Sequence, residues 1–361
     1  MSRIIITVYS FLSSFASITM LSPSKSLIRL KQGSNGFDLR GVLEEGMLGP
    51  HLNNEMAFWV GFGFGAMLKK KRPNERVKVG IGRDPRQSGI KLTEWLMCGL
   101  ETANVEAYDV GLCTTPAMFY CCCPEILSSQ NSEGPWPFDG GISVTASHLP
   151  NIWNGFKLFT SSTPSNIGSE GIDCLINEVI LAEDSGILPA PISMIDKRIC
   201  PPFLPEYSKF LQENLKKFCP QDDQGTPILF GLRLCINAGN GAGGFLAEAL
   251  RALGADVSSS IHLEPDGSFP NHIPNPEDKE AILATQEAVI VGGAELGICL
   301  DTDADRCGIV DKNGRLLNRN GLVALVSRIA ISAARKSTRV ATKEVVVTDS
   351  STSNGITRYN T

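Results

Sequence analysis

The sequence predicts an α/β protein assembled from tandem layered domains. Short apolar segments with strand character alternate with segments of helical spacing over most of the 361 residues, and this alternation is typical of α/β layers rather than of β-sandwiches or helix bundles. At roughly 100–200 residues per domain, the chain is long enough for two or three domains, each with its own core. A concentration of prolines between residues 184 and 205 indicates a domain boundary there.

The first domain is predicted over residues 33–200. Its elements alternate between β-rich runs that end at turns and apolar segments of helical period. In chain order they are the strand Arg76–Gly82, the helix Leu92–Ala103, the strand Val105–Gly111, and the strand Gly140–Thr145, which opens onto a polar loop.

The second domain is predicted over residues 201–316 and an incomplete third over 317–361. The predicted elements of the second are a helix near Tyr207–Lys217, the strand Leu229–Asn237, a glycine turn, the helix Phe245–Leu253 and the strand Leu296–Asp301. The helix Leu322–Ala334 and the valine-rich strand Val345–Thr348 would open the third domain.

Composition excludes several classes of protein. With 33 basic and 38 acidic residues the formal net charge is −5, and nucleic-acid binding would require a clear basic excess. Eleven cysteines, an odd number without a C-x-x-C pair, and four scattered histidines match neither a disulfide scaffold nor a zinc site. The cysteines indicate reduced thiols in an intracellular compartment.

Residues 1–32 differ from the rest of the chain. They are rich in serine and contain no acidic residue, which is typical of an organellar transit segment; a secretory signal or a disordered segment without a targeting role stays open. The apolar run Ile4–Leu21 is interrupted by serines and threonines, so it is a marginal membrane anchor. We therefore expect no stable membrane association and an intracellular location, a plastid or alternatively the cytoplasm, and we leave this segment out of the predicted fold.

Three carboxylates form the first candidate site. Asp301, Asp303 and Asp305 follow the apolar strand at alternate positions, so they can converge on one hard cation such as Mg²⁺ or Ca²⁺. An EF-hand is excluded because its sixth position would be Arg306 and its twelfth Lys312. A phosphatase of the haloacid-dehalogenase type, with Asp301 as the nucleophile, is an alternative, as is a solvated acidic loop.

A serine beside a histidine forms the second candidate site. Ser147 and His148 follow a predicted strand, and Lys157 lies ten residues further on. A nucleophile, a base and a cation are therefore close in sequence. Ordinary turn chemistry is the alternative, because adjacent residues seldom form a nucleophile–base hydrogen bond.

A glycine-rich turn forms the third candidate site. Gly239–Gly244 matches G-x-G-x-x-G between a strand and a helix, and Glu264 lies 20 residues beyond it. This is the dinucleotide-binding pattern in its expected context, so an NAD-dependent oxidoreductase is one interpretation. A tight turn at a helix start is the other.

Together these motifs resemble the α-D-phosphohexomutase family, the phosphoglucomutase/phosphomannomutase group. The motifs that carry the resemblance are, in chain order, Gly36–Gly41 (GFDLRG), Gly82–Ser88 (GRDPRQS), Ser143–Pro150 (SVTASHLP), Asn154–Lys157 (NGFK), Gly239–Gly243 (GNGAG), Pro265–Pro270 (PDGSFP), Pro274–Glu277 (PNPE) and Asp301–Arg306 (DTDADR). The pattern is most similar to plant and algal members. It departs from the family at Leu149 and Thr302, where Asn and Gly are usual.

The resemblance implies tandem α/β domains with mixed sheets and a phosphoserine mechanism on hexose phosphates. Ser147 would carry the phosphoryl group, and its oxygen would hold one Mg²⁺ together with Asp301, Asp303 and Asp305. Lys157 and His148 would manage the proton of the sugar hydroxyl. Arg40 and Arg306 would bind phosphate oxygens, and a hexose bisphosphate would be the intermediate.

Against the family pattern the chain is short. We expect domains 1 and 2 to be complete, domain 3 to be partial and domain 4 to be absent, so that the sugar-selecting and phosphate-binding loops of the C-terminal half are missing. A truncated, non-catalytic paralogue that acts as a binding module is therefore the main alternative to a hexose phosphate mutase.

Overall fold

A computed structural model describes residues 21–34, 36–43, 49–127, 134–189, 198–219 and 225–337. Residues 1–20 of the predicted N-terminal segment and the predicted strand Val345–Thr348 lie outside the described residues. Within the described ranges the strands form two sheets, one in each predicted domain.

The first sheet is mixed. Its strands are β1 (Leu39–Val42), β2 (Lys78–Arg83), β3 (Glu106–Leu112), β4 (Gly140–Val144), β5 (Trp153–Thr160), β6 (Thr163–Asn166) and β7 (Arg198–Ile199). The order is β1-β5-β4-β2-β3-β7, with β6 also paired to β5. Strands β4, β2, β3 and β7 run parallel, whereas β5 is antiparallel to both β4 and β1. The predicted α/β class with mixed sheets is confirmed.

Helices cover both faces of this sheet. The helices of the first domain are α1 (Pro23–Gln32), α2 (Asn54–Lys71), α3 (Gly89–Thr102), α4 (Thr115–Tyr120), α5 (Pro124–Leu127) and α6 (Gly168–Asp184). Helices α1, α2, α3 and α6 share one apolar core with the sheet, and α4 lies in a second core on the opposite face. Helices α2 and α3 approach closely at Gly99, where a Cβ atom would lie 2.0 Å from the carbonyl oxygen of Phe58.

The structure includes part of the segment that sequence analysis left out of the fold. Residues 23–32 form α1, in which Leu27 and Leu30 are fully buried in the first core. The backbone amide and hydroxyl of Ser24 also donate to the carboxylate of Glu183 at 2.8 Å each. The folded part therefore begins earlier than predicted, because a short amphipathic helix in a serine-rich segment still buries its apolar side.

The second domain is smaller. It consists of α7 (Leu204–Phe218), β8 (Leu234–Asn237), a short 3₁₀ turn (Ala242–Gly244), α8 (Phe245–Arg251), α9 (Lys279–Gly292), β9 (Leu296–Leu300) and β10 (Cys307–Asp311), followed by α10 (Arg319–Ser337). Strand β9 is parallel to β8 and antiparallel to β10. The first strand starts at Leu234 rather than at Leu229, since the amide of Leu232 closes a turn on the carbonyl of Leu229.

None of the helices in the described ranges is both long and apolar enough to cross a membrane.

Candidate functional site

Two loops from different domains meet at the candidate site. One loop follows β4 and carries Ser147, and the other follows β9 and carries the three aspartates. The hydroxyl of Ser147 donates to Oδ2 of Asp301 at 2.8 Å, and the amide of Thr115 donates to the carbonyl oxygen of Asp303 at 3.0 Å. The structure thus brings together two sequence motifs that lie about half the chain apart.

Ser147 is buried and held in an uncommon backbone conformation. Its φ is +54°, in the left-handed region, and the residue is fully inaccessible to solvent. Its hydroxyl oxygen accepts a hydrogen bond from Nη2 of Arg306 at 2.5 Å, while Nδ1 of His148 lies 3.5 Å away. Non-glycine residues in this region persist where the surroundings over-determine the conformation, often at functional sites. The serine oxygen is therefore aligned between a carboxylate and a guanidinium.

The three aspartates converge as predicted. One carboxylate oxygen from each of Asp301, Asp303 and Asp305 lies within 4.8 Å of the others. Oδ1 of Asp301 accepts from the backbone amides of Asp305 and Arg306 at 3.1 and 3.0 Å, which folds the loop around the first carboxylate. Among the described residues, no hydrogen-bond partner reaches the buried Oδ1 of Asp303. Three hard oxygen donors with one buried oxygen unpaired fit a Mg²⁺ ion.

Lys157 lies inside the acidic cluster. Lys157 is on β5, where it pairs with Ser143 of β4. Its ammonium group donates to Oδ2 of Asp303 at 2.6 Å and also to Oδ2 of Asp305. Burial opposes the charged ammonium, but the two carboxylates outweigh it and raise the pKa of Lys157. This cation offsets part of the repulsion within the cluster.

The two buried aspartates respond in opposite ways. Burial, followed by the nearby charges of Asp303 and Asp305, raises the pKa of Asp301 well above its usual range. Burial acts in the same sense on Asp303, but the Lys157 ammonium and the hydroxyl of Thr115 outweigh it, so the pKa of Asp303 is lowered. In the absence of a metal ion, the protein therefore disfavours the charged form of Asp301 and stabilises the carboxylate of Asp303.

Arg40 and His148 lie at the edge of the serine loop. Nη1 of Arg40 donates to the carbonyl of Ala146 at 3.1 Å, and Asp38 accepts from its Nε and Nη2 at 2.9 and 2.6 Å. Burial, Arg306 and Arg40 lower the pKa of His148, so its imidazole is neutral at neutral pH. Of the eight residues predicted for the site, Asp301 and Arg306 thus contact the Ser147 hydroxyl, Lys157 joins Asp303 and Asp305, and Arg40 and His148 lie at the serine loop.

Three buried residues that support the site were not predicted from the sequence. Thr115, at the start of α4, donates to Oδ2 of Asp303 at 2.5 Å. Asp84 and Arg86 form a buried ion pair with Nε and Oδ2 3.0 Å apart. Both charged residues lie in the Gly82–Ser88 motif, and that motif was the available signal, although it indicated no role for them.

The glycine turn Gly239–Gly244 packs against the loop Asp301–Arg306, which carries the three aspartates and is called the metal loop below. The amide of Ala242 donates to the carbonyl of Thr302 at 2.8 Å, and the amide of Asn240 donates to the carbonyl of His262 at 2.8 Å. A Cβ atom at Gly241 would lie 2.6 Å from the same Thr302 oxygen. Glycine is needed here for close approach to the metal loop, and these amides bind the protein's own carbonyl groups.

Comparison with known families matches both domains. The family model described as phosphoglucomutase/phosphomannomutase, alpha/beta/alpha domain I, matches residues 31–177, and the model for domain II matches residues 205–314. The chain belongs to the phosphoglucomutase/phosphomannomutase family. The resemblance inferred from the motifs is therefore confirmed, and so is the presence of the first two phosphohexomutase domains.

Curated relatives carry the same family names. A phosphomannomutase/phosphoglucomutase of Pseudomonas syringae pv. tomato is 31% identical over 292 residues, which are 80% of this chain and 54% of that protein. A phosphomannomutase of Escherichia coli is 32% identical over 305 residues, which are 81% of this chain and 58% of that protein. The chain thus spans about half the length of the curated relatives it matches.

A solved structure supports the fold. A phosphoglucomutase/phosphomannomutase family protein from Burkholderia thailandensis superposes with a TM-score of 0.65 at 26% identity, over 87% of this chain and 60% of that one. The putative phosphomannomutase of Thermus thermophilus gives a TM-score of 0.62 at 20% identity, which shows the same fold.

Proposed function

We propose that the protein transfers phosphoryl groups to and from hexose phosphates through a phosphoserine at Ser147. The observation that carries the proposal is the convergence on the Ser147 oxygen of Asp301 at 2.8 Å and Arg306 at 2.5 Å. Membership of the phosphoglucomutase/phosphomannomutase family supports the same reaction class. The proposed net reaction interconverts hexose 1-phosphate and hexose 6-phosphate.

In the proposed reaction the bond between phosphorus and the serine oxygen breaks as a sugar hydroxyl oxygen bonds to phosphorus. The proton of that hydroxyl passes to a base, and the leaving Ser147 oxygen takes up a proton. In the return step the Ser147 oxygen loses that proton and bonds to the other phosphorus of the hexose bisphosphate, as the bond between that phosphorus and the sugar oxygen breaks and the sugar oxygen is protonated. A Mg²⁺ ion held by Asp301, Asp303, Asp305 and the serine-bound group would neutralise charge on the transferring phosphoryl oxygens.

The chain's own residues divide the remaining tasks. Arg306 already donates to the serine oxygen, so it is placed to hold phosphoryl oxygens. The neutral imidazole of His148 suits a proton acceptor near that oxygen. Lys157 is an ammonium that pairs with two carboxylates, which favours a charge-balancing role; its predicted part in proton transfer stays a prediction.

Phosphate incorporation tests the proposal directly. The full chain is incubated with glucose 1,6-bisphosphate and Mg²⁺, and intact mass with peptide mapping locates the modification. We expect one phosphoryl group on Ser147, none in Ser147→Ala, and wild-type incorporation in Ser162→Ala, which changes an exposed serine outside the site. An unmodified Ser147 would refute the phosphoserine mechanism. Binding of hexose phosphate without modification would then support the non-catalytic binding module.

A further inference from the structure

Arg86 is a buried arginine with no part in the reaction described above. Only 1% of the residue is accessible to solvent. A buried guanidinium is costly unless its five N–H donors and its charge are satisfied. The acceptors of the Arg86 hydrogen bonds therefore indicate its role.

The guanidinium gathers the backbone of the serine loop. Nη2 donates to the carbonyl oxygens of Ser147 and Leu149 at 2.7 and 2.6 Å. Nη1 donates to those of Pro150 and Trp153 at 2.5 and 3.0 Å. One side chain thus binds four carbonyl groups within seven residues, a pattern that the planar fork of arginine can make and a lysine cannot.

The ion-pair partner of Arg86 holds the other side of the same serine. Oδ2 of Asp84 accepts from the hydroxyl of Thr145 at 2.7 Å, and that hydroxyl oxygen accepts from the amide of Ser147 at 2.9 Å. The peptide groups before and after Ser147 are therefore both tied to the Asp84–Arg86 pair. This pair is placed to maintain the left-handed φ of +54° at Ser147.

A side chain of the second domain packs against this arginine. The ring of Phe269 lies 5.1 Å from Cζ of Arg86, a cation–π contact. Phe269 is buried and has a φ of +52°. Nearby, a Cβ atom at Gly267 would lie 2.2 Å from the carbonyl oxygen of Pro85. The motif Pro265–Pro270 of the second domain is thus fitted to the loop that carries Arg86.

We propose that Arg86 is a positioning residue for Ser147 and that Phe269, from the second domain, holds the Arg86 side chain in place. Through this contact, docking of the two domains sets the direction of the serine hydroxyl toward Asp301. The inference deepens the proposed function, because it concerns the serine proposed to carry the phosphoryl group. It also assigns a role to two motifs, Gly82–Ser88 and Pro265–Pro270, that the reaction itself leaves without one.

The test compares Arg86→Lys and Phe269→Leu with the wild-type chain. Arg83→Lys is the matched control, since Arg83 is in the same motif but pairs with Asp109 at 2.6 Å instead of with the serine loop. Phosphorylation of Ser147 by glucose 1,6-bisphosphate gives a maximal rate and a half-saturating concentration. Metal binding is measured as the dissociation constant of Mn²⁺, used as a probe of the proposed Mg²⁺ site. Hydrogen exchange is followed at the amides of residues 146–153.

For Arg86→Lys we expect the maximal phosphorylation rate to fall about 100-fold, as a displacement on the order of 1 Å can cost. The half-saturating concentration and the Mn²⁺ dissociation constant of the unphosphorylated protein should change far less than the rate, because the three aspartates stay in place. Exchange in residues 146–153 should quicken. Phe269→Leu should lower the rate and quicken the exchange by smaller factors. If Arg86→Lys fails to fold, Phe269→Leu alone tests the positioning role. The control should match the wild type.

The two proposals fail in different ways. If wild-type Ser147 accepts no phosphoryl group, the proposed function fails, and amide exchange alone decides the role of Arg86. Wild-type rates together with wild-type exchange in both variants would overturn the positioning role. A uniform loss of Mn²⁺ binding and of protection throughout the chain would also overturn it, since that outcome shows general destabilisation.

Discussion

The ammonium nitrogen of Lys157 lies 2.6 Å from Oδ2 of Asp303, and the same group also binds Asp305. The first domain thereby inserts a cation into the acidic loop of the second domain. Both Lys157 and Asp303 are nearly or fully buried, so neither charge is balanced by water. The contact joins the two domains at the site proposed for Mg²⁺.

Replacing Lys157 with methionine should destabilise the metal-free protein. Removing one partner of a buried ion pair leaves an uncompensated charge and typically costs about 3–5 kcal/mol. Mg²⁺ should recover more stability in Lys157→Met than in the wild type, because a cation bound to the folded state replaces the missing charge. Thermal unfolding with EDTA and with saturating Mg²⁺ measures both effects.

Lys70→Met is the control for this prediction. Lys70 pairs with Glu178 at 2.6 Å, but 68% of its side chain is exposed. Exposed pairs contribute about 0–1 kcal/mol, so this variant should unfold close to the wild type, with or without Mg²⁺. Equal losses in the two variants would contradict the buried, charge-balancing role of Lys157.

Asp301→Asn should stabilise the metal-free protein at neutral pH. Burial and the neighbouring carboxylates raise the pKa of Asp301 in the folded state, so its ionisation destabilises the fold increasingly as pH rises above the ordinary value of 3.8. Asparagine removes that penalty. Below pH 3.8 the carboxyl is largely protonated in both states, and the gain should vanish. Urea unfolding in EDTA, at neutral pH and below pH 3.8, measures the difference in the free energy of unfolding between Asp301→Asn and the wild type. A stability gain that grows toward acid pH would refute the prediction.

Asp303→Asn should weaken divalent-cation binding. The substitution removes one of three converging carboxylates. Losing a residue that only hydrogen-bonds to a metal ligand typically weakens metal binding roughly 10- to 100-fold, so losing a ligand itself should weaken it more. Asp311→Asn is the control, because Asp311 accepts from the amides of Asn313 and Arg315 in an exposed turn. Calorimetric titration with Mg²⁺ compares the variants. Equal dissociation constants would exclude the aspartate cluster as the binding site.

Leu30→Ala should show that α1 belongs to the folded domain. Leu30 is fully buried in the first core, and truncating a buried leucine typically costs about 2–5 kcal/mol. Ile28→Ala, on the same helix but 39% exposed, should cost much less. Urea unfolding of both variants gives the difference in the free energy of unfolding. If Leu30→Ala unfolds like Ile28→Ala, the packing of α1 is not as described.

Strands β2, β3 and β9 and the metal loop were predictable because their signals are local. The apolar run before Asp301 and the β-rich runs near Val79 and Val110 are short and bounded by turns, and the structure has strands at each. Helix α2 was missed because it is buried on nearly all sides, so it lacks the polar face that makes a helical period visible. Strand β5 was missed because the buried Asn154 and Lys157 interrupt its apolar pattern.

The sequence by itself determined the class of fold and the chemical groups available. Alternating elements, three carboxylates after a strand, and a serine with neighbouring basic residues are all written in short stretches of chain. Tertiary structure alone decided which groups meet. Thr115 reaches Asp303 across 188 residues, and Arg86 organises a serine 61 residues away. The first contact depends on how the two domains dock and the second on how distant segments pack within one domain, and no local periodicity records either.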